Sequence, residues 1–294
     1  MVKSILVPTD FSKNAESALT YAIGLAQKIG YAIQLVHVYQ AHTTKFGEES
    51  FNKDVRAHAE SKAMNELEEL RAKVAAVYPD VEIGIDAVEG NIISQMVTQM
   101  AGKAEYELIV MGTKGAGGLK YHLLGSNTYQ TISNSPIPVL AVPETYGEFK
   151  MDRVGLMSNF KETEIELLNT FTQIFGQDAT ITLLHVREKI RAKDEKDDAE
   201  QQDLLQWKNK IEAQTGITNL ESKIDATVSR WDDADSLPDT IHDMAEEANL
   251  DALLLSYNSK SFFKRIFSKS LVKNFAHEIH RPVFFLKESL DYQK

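Results

Sequence analysis

Four short segments from the first half of this 294-residue chain return, in the same order, in the second half. ILVPTDFS (5–12) comes back as VGLMSNFK (154–161), and QLVHVYQ (34–40) as TLLHVRE (182–188). LIVMGTKGAGGLK (108–120) comes back as ALLLSYNSKSFFK (252–264), and SPIPVLAVPE (135–144) as IHRPVFFLKE (279–288). Partners such as Asp10 and Asn159, or Gly112 and Ser256, keep a nearly constant spacing, so the halves differ only by small length changes. A repeat of domain length means two copies of one folding unit, here expected over residues 1–147 and 148–294.

The pattern inside the first copy says what that unit is. SILVPT (4–9) and AIQLVHVY (32–39) are short apolar runs, and between them Ala15, Ala18, Leu19, Ala22, Leu25, Ala26 and Ile29 recur at helical spacing. A second helix is expected over about 50–77, then strand VEIGIDAVE, helix NIISQMVTQMA, strand ELIVMGT, a glycine-rich stretch and strand PVLAVP. The strands are continuously apolar instead of alternating, and the helices between them are long enough for crossovers. Two tandem α/β domains follow, each a doubly wound, Rossmann-like parallel sheet with expected strand order 3-2-1-4-5.

Composition narrows the function. A formal net charge of -11 and a pI near 5.3 leave no basic surface for nucleic acid or an anionic membrane. The absence of cysteine removes disulfides, thiolate metal sites and thiol nucleophiles, and it is compatible with a reducing compartment. The apolar run at the start reaches Asp10 at once and no later stretch is long enough to span a bilayer, so a cytoplasmic protein is expected. The charged run EKIRAKDEKDDAEQQD (188–203) reads as a solvated loop and helix start.

In a doubly wound sheet, ligands sit beyond the carboxyl ends of the strands where the strand order reverses, here between the first and fourth strands. Those ends carry Pro8-Thr9-Asp10 and the stretch from Gly112 to Ser126. Glycine permits positive φ and lets an anion approach main-chain N–H groups, and Gly125-Ser126 opens a helical run, which suits a phosphate. Asp10 opposite could accept from a sugar or base edge or hold Mg²⁺. Gly112 and Gly117 are followed by Gly118 where a P-loop needs Lys, and Lys120 stands where a dinucleotide fingerprint needs glycine.

What fits is G-x2-G-x9-G-[ST], with Gly112, Gly115, Gly125 and Ser126, together with PTD after the first strand and PVLAVP at the close. In this order the motifs resemble those of the ATP-binding members of the universal stress protein family, once per half, as in a tandem member. The resemblance implies that Pro8, Thr9, Asp10 and Val38 surround adenine and ribose. It also implies that Gly112, Gly115, Gly125, Ser126 and Asn127 contact ribose and phosphates, with Met111 beside them. The implied ligand is ATP or AMP, with Mg²⁺ accompanying ATP. Lys114 and Ala116 replace the family's common His and Arg, and Asn127 a small apolar residue, which bears on how many phosphates are held.

The second copy has lost these residues. Asp10 becomes Asn159, Pro8 becomes Met157, Gly112 and Gly115 become Ser256 and Ser259, and Gly125 becomes Lys269. Side chains there restrict positive φ and block a phosphate, while Phe262, Phe263 and Phe267 add bulk, so an empty or altered second pocket is expected. Lys260, Lys264, Arg265 and Lys269 read as a basic solvated loop.

Other constellations read as structural. His277 and His280 are one residue too close for the zinc-protease pattern, and His37 and His185 recur in both halves as fold-specific positions. Trp207 and Trp231 read as packing residues, and no G-x-S-x-G or base for Ser126 is present.

The expected function is a nucleotide-sensing stress module and not an efficient enzyme, since no residue is seen to position the attacking water and no arginine to reach the γ-phosphate, which leaves room only for slow ATP hydrolysis. A scaffold or interaction protein with no functional nucleotide site is the alternative, and an adenylyl-transferring enzyme a third reading without its motif. The family resemblance further implies that the closing strands, PVLAVP and PVFFLK, pair in an intramolecular pseudo-dimer, and it leaves room for a homodimer between chains.

Overall fold

Ser12 decides where the first helix begins. Its backbone is extended (φ -75°, ψ 160°) and its hydroxyl accepts from the N–H of Ala15, satisfying one of the donors that a helix start leaves without a partner. The helix, α1 (Lys13–Ile29), stops at Gly30, whose left-handed φ of 71° lets its N–H turn back to the Ala26 carbonyl. Before it lies strand β1 (Ser4–Pro8) and after it β2 (Ala32–Tyr39). The first half continues as α2 (Glu49–Val77), β3 (Ile83–Glu89), α3 (Ile93–Ala101), β4 (Tyr106–Gly112), α4 (Ser126–Asn134) and β5 (Val139–Val142).

The computed structural model describes residues 2–43, 49–90, 93–103, 105–113, 125–189, 197–228, 236–257 and 281–288. Among them the chain divides into two compact units, the first ending at Phe149 and the second starting at Lys150.

In the first unit the strands run parallel in the order β3-β2-β1-β4-β5, as expected from the sequence. Ile5, Leu6 and Val7 of β1 and Leu108, Ile109 and Val110 of β4 are fully buried on consecutive residues, which requires cover on both faces of the sheet. β3, at one end of the order, is only half-buried along its length.

Gly24, in the middle of α1, looks like a flaw for a helix until its neighbour is seen. A Cβ there would lie 2.5 Å from the Cβ of Phe149, whose ring meets Tyr21 edge-on at 5.1 Å. The missing side chain is the seat of the unit's last residue.

The second unit repeats the plan with β6 (Arg153–Met157), α5 (Glu162–Phe175), β7 (Thr180–Lys189), α6 (Asp197–Thr215), β8 (Leu220–Val228), α7 (Ser236–Glu247), β9 (Ala252–Tyr257) and β10 (Val283–Lys287). Its strands are again parallel, in the order β10-β9-β6-β7-β8. Its core is built differently. Phe171 and Phe175 of α5 stack at 4.6 Å, and each meets Phe284 of β10 edge-on at 5.7 Å. At the spacing that relates Asp10 to Asn159, α1 carries Ala22 and Ala26 in place of those two phenylalanines.

Candidate functional site

β1 and β4 are neighbours in the sheet, so the residues that follow them leave the sheet side by side. The exit from β1 is a tight turn. Thr9 is tied to β2 by its N–H to the Val36 carbonyl (2.8 Å), and Phe11 is held at a φ of 60°, a left-handed value uncommon for a bulky residue. The strain is over-determined locally: Phe11 N–H donates to Thr9 Oγ1 (3.1 Å), and Ser12 donates to Asp10 Oδ1 through both its N–H (3.1 Å) and its hydroxyl (2.6 Å). Asp10 is therefore oriented by the turn it belongs to.

His37 fastens the same turn from β2. Its Nδ1 lies 2.8 Å from the Thr9 carbonyl, which can only accept, so Nδ1 carries the hydrogen. Its ring packs on Phe11 at 4.7 Å. His185 does the same in the second unit, 2.9 Å from the Ser158 carbonyl and 4.6 Å from the Phe160 ring. Both histidines are turn fasteners.

The exit from β4 is held from two sides. Thr113 N–H donates to the Val142 carbonyl (3.1 Å), and Gly125 N–H returns to the Thr113 carbonyl (2.6 Å). The buried Thr128 hydroxyl donates to the Gly112 carbonyl (2.8 Å), which locks the first turn of α4 onto the strand end. Gly125 sits at the N-cap of α4, where among the described residues no side chain caps the helix. The bonds from Gly125 and Thr128 bring the N-terminus of α4, the positive end of its dipole, to the end of β4, with exposed Ser126 and half-buried Asn127 in its first turn.

Of the residues singled out from sequence, Pro8, Thr9, Asp10, Gly112, Gly125, Ser126 and Asn127 come to this one end of β1 and β4, and half-buried Val38 lies at the matching end of β2. Met111 is buried in β4 directly before Gly112. Gly115, with Lys114 and Ala116, lies outside the described residues, as do Trp231, His277, His280 and the second-half positions 258–280.

The reason for glycine at 112 differs from the sequence expectation. Neither Gly112 nor Gly125 has a positive φ; Gly125 is at -58°. A Cβ on Gly112 would stand 1.9 Å from Asn14 Oδ1 and 2.9 Å from the Asn14 main-chain oxygen. Glycine is there because the buried start of α1 occupies the space. In the second unit the matching pair is Thr163 and Ser256, whose hydroxyls lie 3.3 Å apart. The side chain on the strand has grown and the one on the helix has shrunk.

Sequence reasoning also missed Glu164. It stands where the first unit has Ala15, and its carboxylate accepts from the Ser158 hydroxyl (2.7 Å), the Asn159 N–H (2.6 Å), the Lys161 N–H (3.2 Å) and the Trp207 indole (2.8 Å). A glutamate three residues into a helix was the available signal, a capping-box position. Trp207 is a packing residue, as expected, but one whose indole has this partner.

Burial pushes the Glu164 carboxyl above the usual glutamate value, against the four donors that pull it down. A carboxyl raised in the folded state contributes stability that is complete below its unfolded pKa and is lost as pH rises through its folded pKa. The unfolding free energy of wild type minus that of Glu164→Gln is therefore expected to fall as pH rises above the ordinary glutamate range. Denaturant titrations at rising pH check it; a difference that rises with pH contradicts the assignment.

The sequence model of the Universal stress protein family matches residues 1–143. Universal stress protein MJ0577 of Methanocaldococcus jannaschii is 32% identical over 155 residues, which cover 95% of that protein and 48% of this chain. The chain belongs to the universal stress protein family. The Thermus aquaticus universal stress protein in the QAH/OAS sulfhydrylase 3'region is 29% identical over 146 residues, 99% of its own length and 48% of this one. These relatives match about half of this universal stress protein.

The fold of the whole chain is shared with a universal stress protein from Archaeoglobus fulgidus, whose crystal structure aligns at a TM-score of 0.67 with 20% identity over 97% of this chain and 98% of that one. Among the described residues no helix is long and apolar enough to cross a membrane.

Proposed function

We propose that this universal stress protein binds ATP or AMP in its first unit, with Mg²⁺ accompanying the triphosphate, and serves the stress response as a nucleotide-sensing module. The observation that carries the proposal is the meeting of two features at adjacent strand ends: the braced Asp10 turn after β1 and the N-terminus of α4 after β4. The second offers N–H donors and a positive dipole end to phosphates, and the first a fixed carboxylate to a sugar hydroxyl, a base edge or Mg²⁺. Pro8, Thr9 and Val38 would line the base and ribose side, and Gly112, Gly115, Gly125, Ser126 and Asn127 the phosphate side.

Sensing is favoured over turnover because efficient hydrolysis needs a group to orient the attacking water and an arginine on the γ-phosphate, and the motif residues supply neither. The cysteine-free, acidic chain fits a cytoplasmic protein, which forms part of the proposal.

Asp10→Ala tests the reading. By equilibrium dialysis its affinity for Mg-ATP is expected to drop at least about tenfold, the loss of one hydrogen bond to a charged group. Wild type and variant failing alike to bind Mg-ATP and Mg-AMP would transfer the function to a scaffold role.

A further inference from the structure

The two exit turns, one after β1 and one after β6, have the same shape but not the same support. Phe11 and Phe160 hold φ values of 60° and 59°, and each turn is fastened by a histidine Nδ1 on the carbonyl two residues before that phenylalanine, at 2.8 Å and 2.9 Å. In the first unit the brace comes from inside the turn, where Asp10 Oδ1 accepts twice from Ser12. In the second the brace comes from outside. Glu164, in the first turn of α5, accepts from Ser158, Asn159 and Lys161 of the turn and from Trp207 of α6, so that one carboxylate joins three segments.

Four donors converging on one buried anion is the arrangement by which a protein grips a bound carboxylate or phosphate. Here the anion is part of the chain. We propose that Glu164 is a built-in ligand of the second unit, which holds the turn between β6 and α5 closed without any nucleotide. The equivalent turn of the first unit has Ala15 at this position, so the α1 residue there supplies no carboxylate, and the turn is braced by Asp10 from within and by His37 from β2.

The consequence is a division of labour written into two copies of one fold. The second unit carries in its own chain the anion that holds its turn. The first retains a turn braced by Asp10 and His37 to which, on the function proposed above, nucleotide supplies the anion from outside the chain.

The test is hydrogen exchange at the Asn159 and Lys161 amides in the full-length protein without nucleotide. Both are expected to exchange at least about tenfold more slowly in wild type than in Glu164→Ala, one hydrogen bond to a charged acceptor being worth that factor. Excess formate, a free carboxylate that fits the vacated donors, is expected to restore part of the protection in Glu164→Ala and to leave wild type unchanged. Glu164→Gln keeps the volume and one acceptor, so it guards against a variant that fails to fold; its amides are expected to exchange at an intermediate rate, with a shift in Trp207 emission. Equal rates in wild type and variants, or no response of Glu164→Ala to formate, would overturn the proposal. Because the readout lies in the second unit and needs no nucleotide, it stands or falls separately from nucleotide binding in the first.

Discussion

Gly112→Ala is expected to destabilise the first unit by about 1–3 kcal/mol and to weaken Mg-ATP binding with it, the cost typical of forcing an extra carbon into a packed site. The new Cβ would meet Asn14 Oδ1 at 1.9 Å, which a rotamer change could relieve, and the Asn14 main-chain oxygen at 2.9 Å, which it could not. The start of α1 or the end of β4 must therefore move, and these two elements carry the Asp10 turn and the Gly112 carbonyl on which Thr128 is anchored.

The second unit contains its own remedy, since Ser256 is accommodated opposite Thr163. Combining Gly112→Ser with Asn14→Thr is accordingly expected to recover part of the loss, with a coupling of about 0.5–3 kcal/mol in a double-mutant cycle. Additive losses, measured by denaturant unfolding, would mean that the pair is not the unit of compensation.

Phe171→Ala is expected to cost about 3–5 kcal/mol, the range for removing a buried aromatic ring. Phe171 is fully buried, stacked at 4.6 Å on Phe175 and edge-on at 5.7 Å to Phe284, so its removal strips a contact from both α5 and β10. The same change should leave the Mg-ATP affinity of the folded protein intact, because none of the proposed contact residues lies in the second unit. Thermal or denaturant unfolding gives the first quantity and dialysis the second. A loss below about 1 kcal/mol would mean that the site collapses around the missing ring.

The sheet was legible because its determinants are local. Apolar runs too continuous for a one-sided strand, such as Ile5 to Val7 and Leu108 to Val110, announce a parallel sheet covered on both faces, and Gly30 and Ser12 punctuate the first helix. The strand order followed from the doubly wound pattern, and it holds in each unit.

What stayed hidden depends on contacts distant in sequence. Gly112 is glycine because of Asn14, ninety-odd positions away in the chain, and not because of a left-handed backbone. The pairing of Thr163 with Ser256 and of Glu164 with Trp207 likewise has no local signature beyond a glutamate at a capping position. Loss of the glycines in the second half was readable from the repeat; the carboxylate brace found beside it was not. The same repeat correctly marked His37 and His185 as parts of the fold, since a histidine fastening a strand-exit turn is needed in both copies.

The most direct test of nucleotide sensing by one unit of two is a calorimetric titration of Mg-ATP into the purified, nucleotide-stripped protein. One site per chain, lost in Gly115→Val, is the expected result. No heat of binding would contradict the proposed function, and two sites per chain would contradict the assignment of a single nucleotide-binding unit.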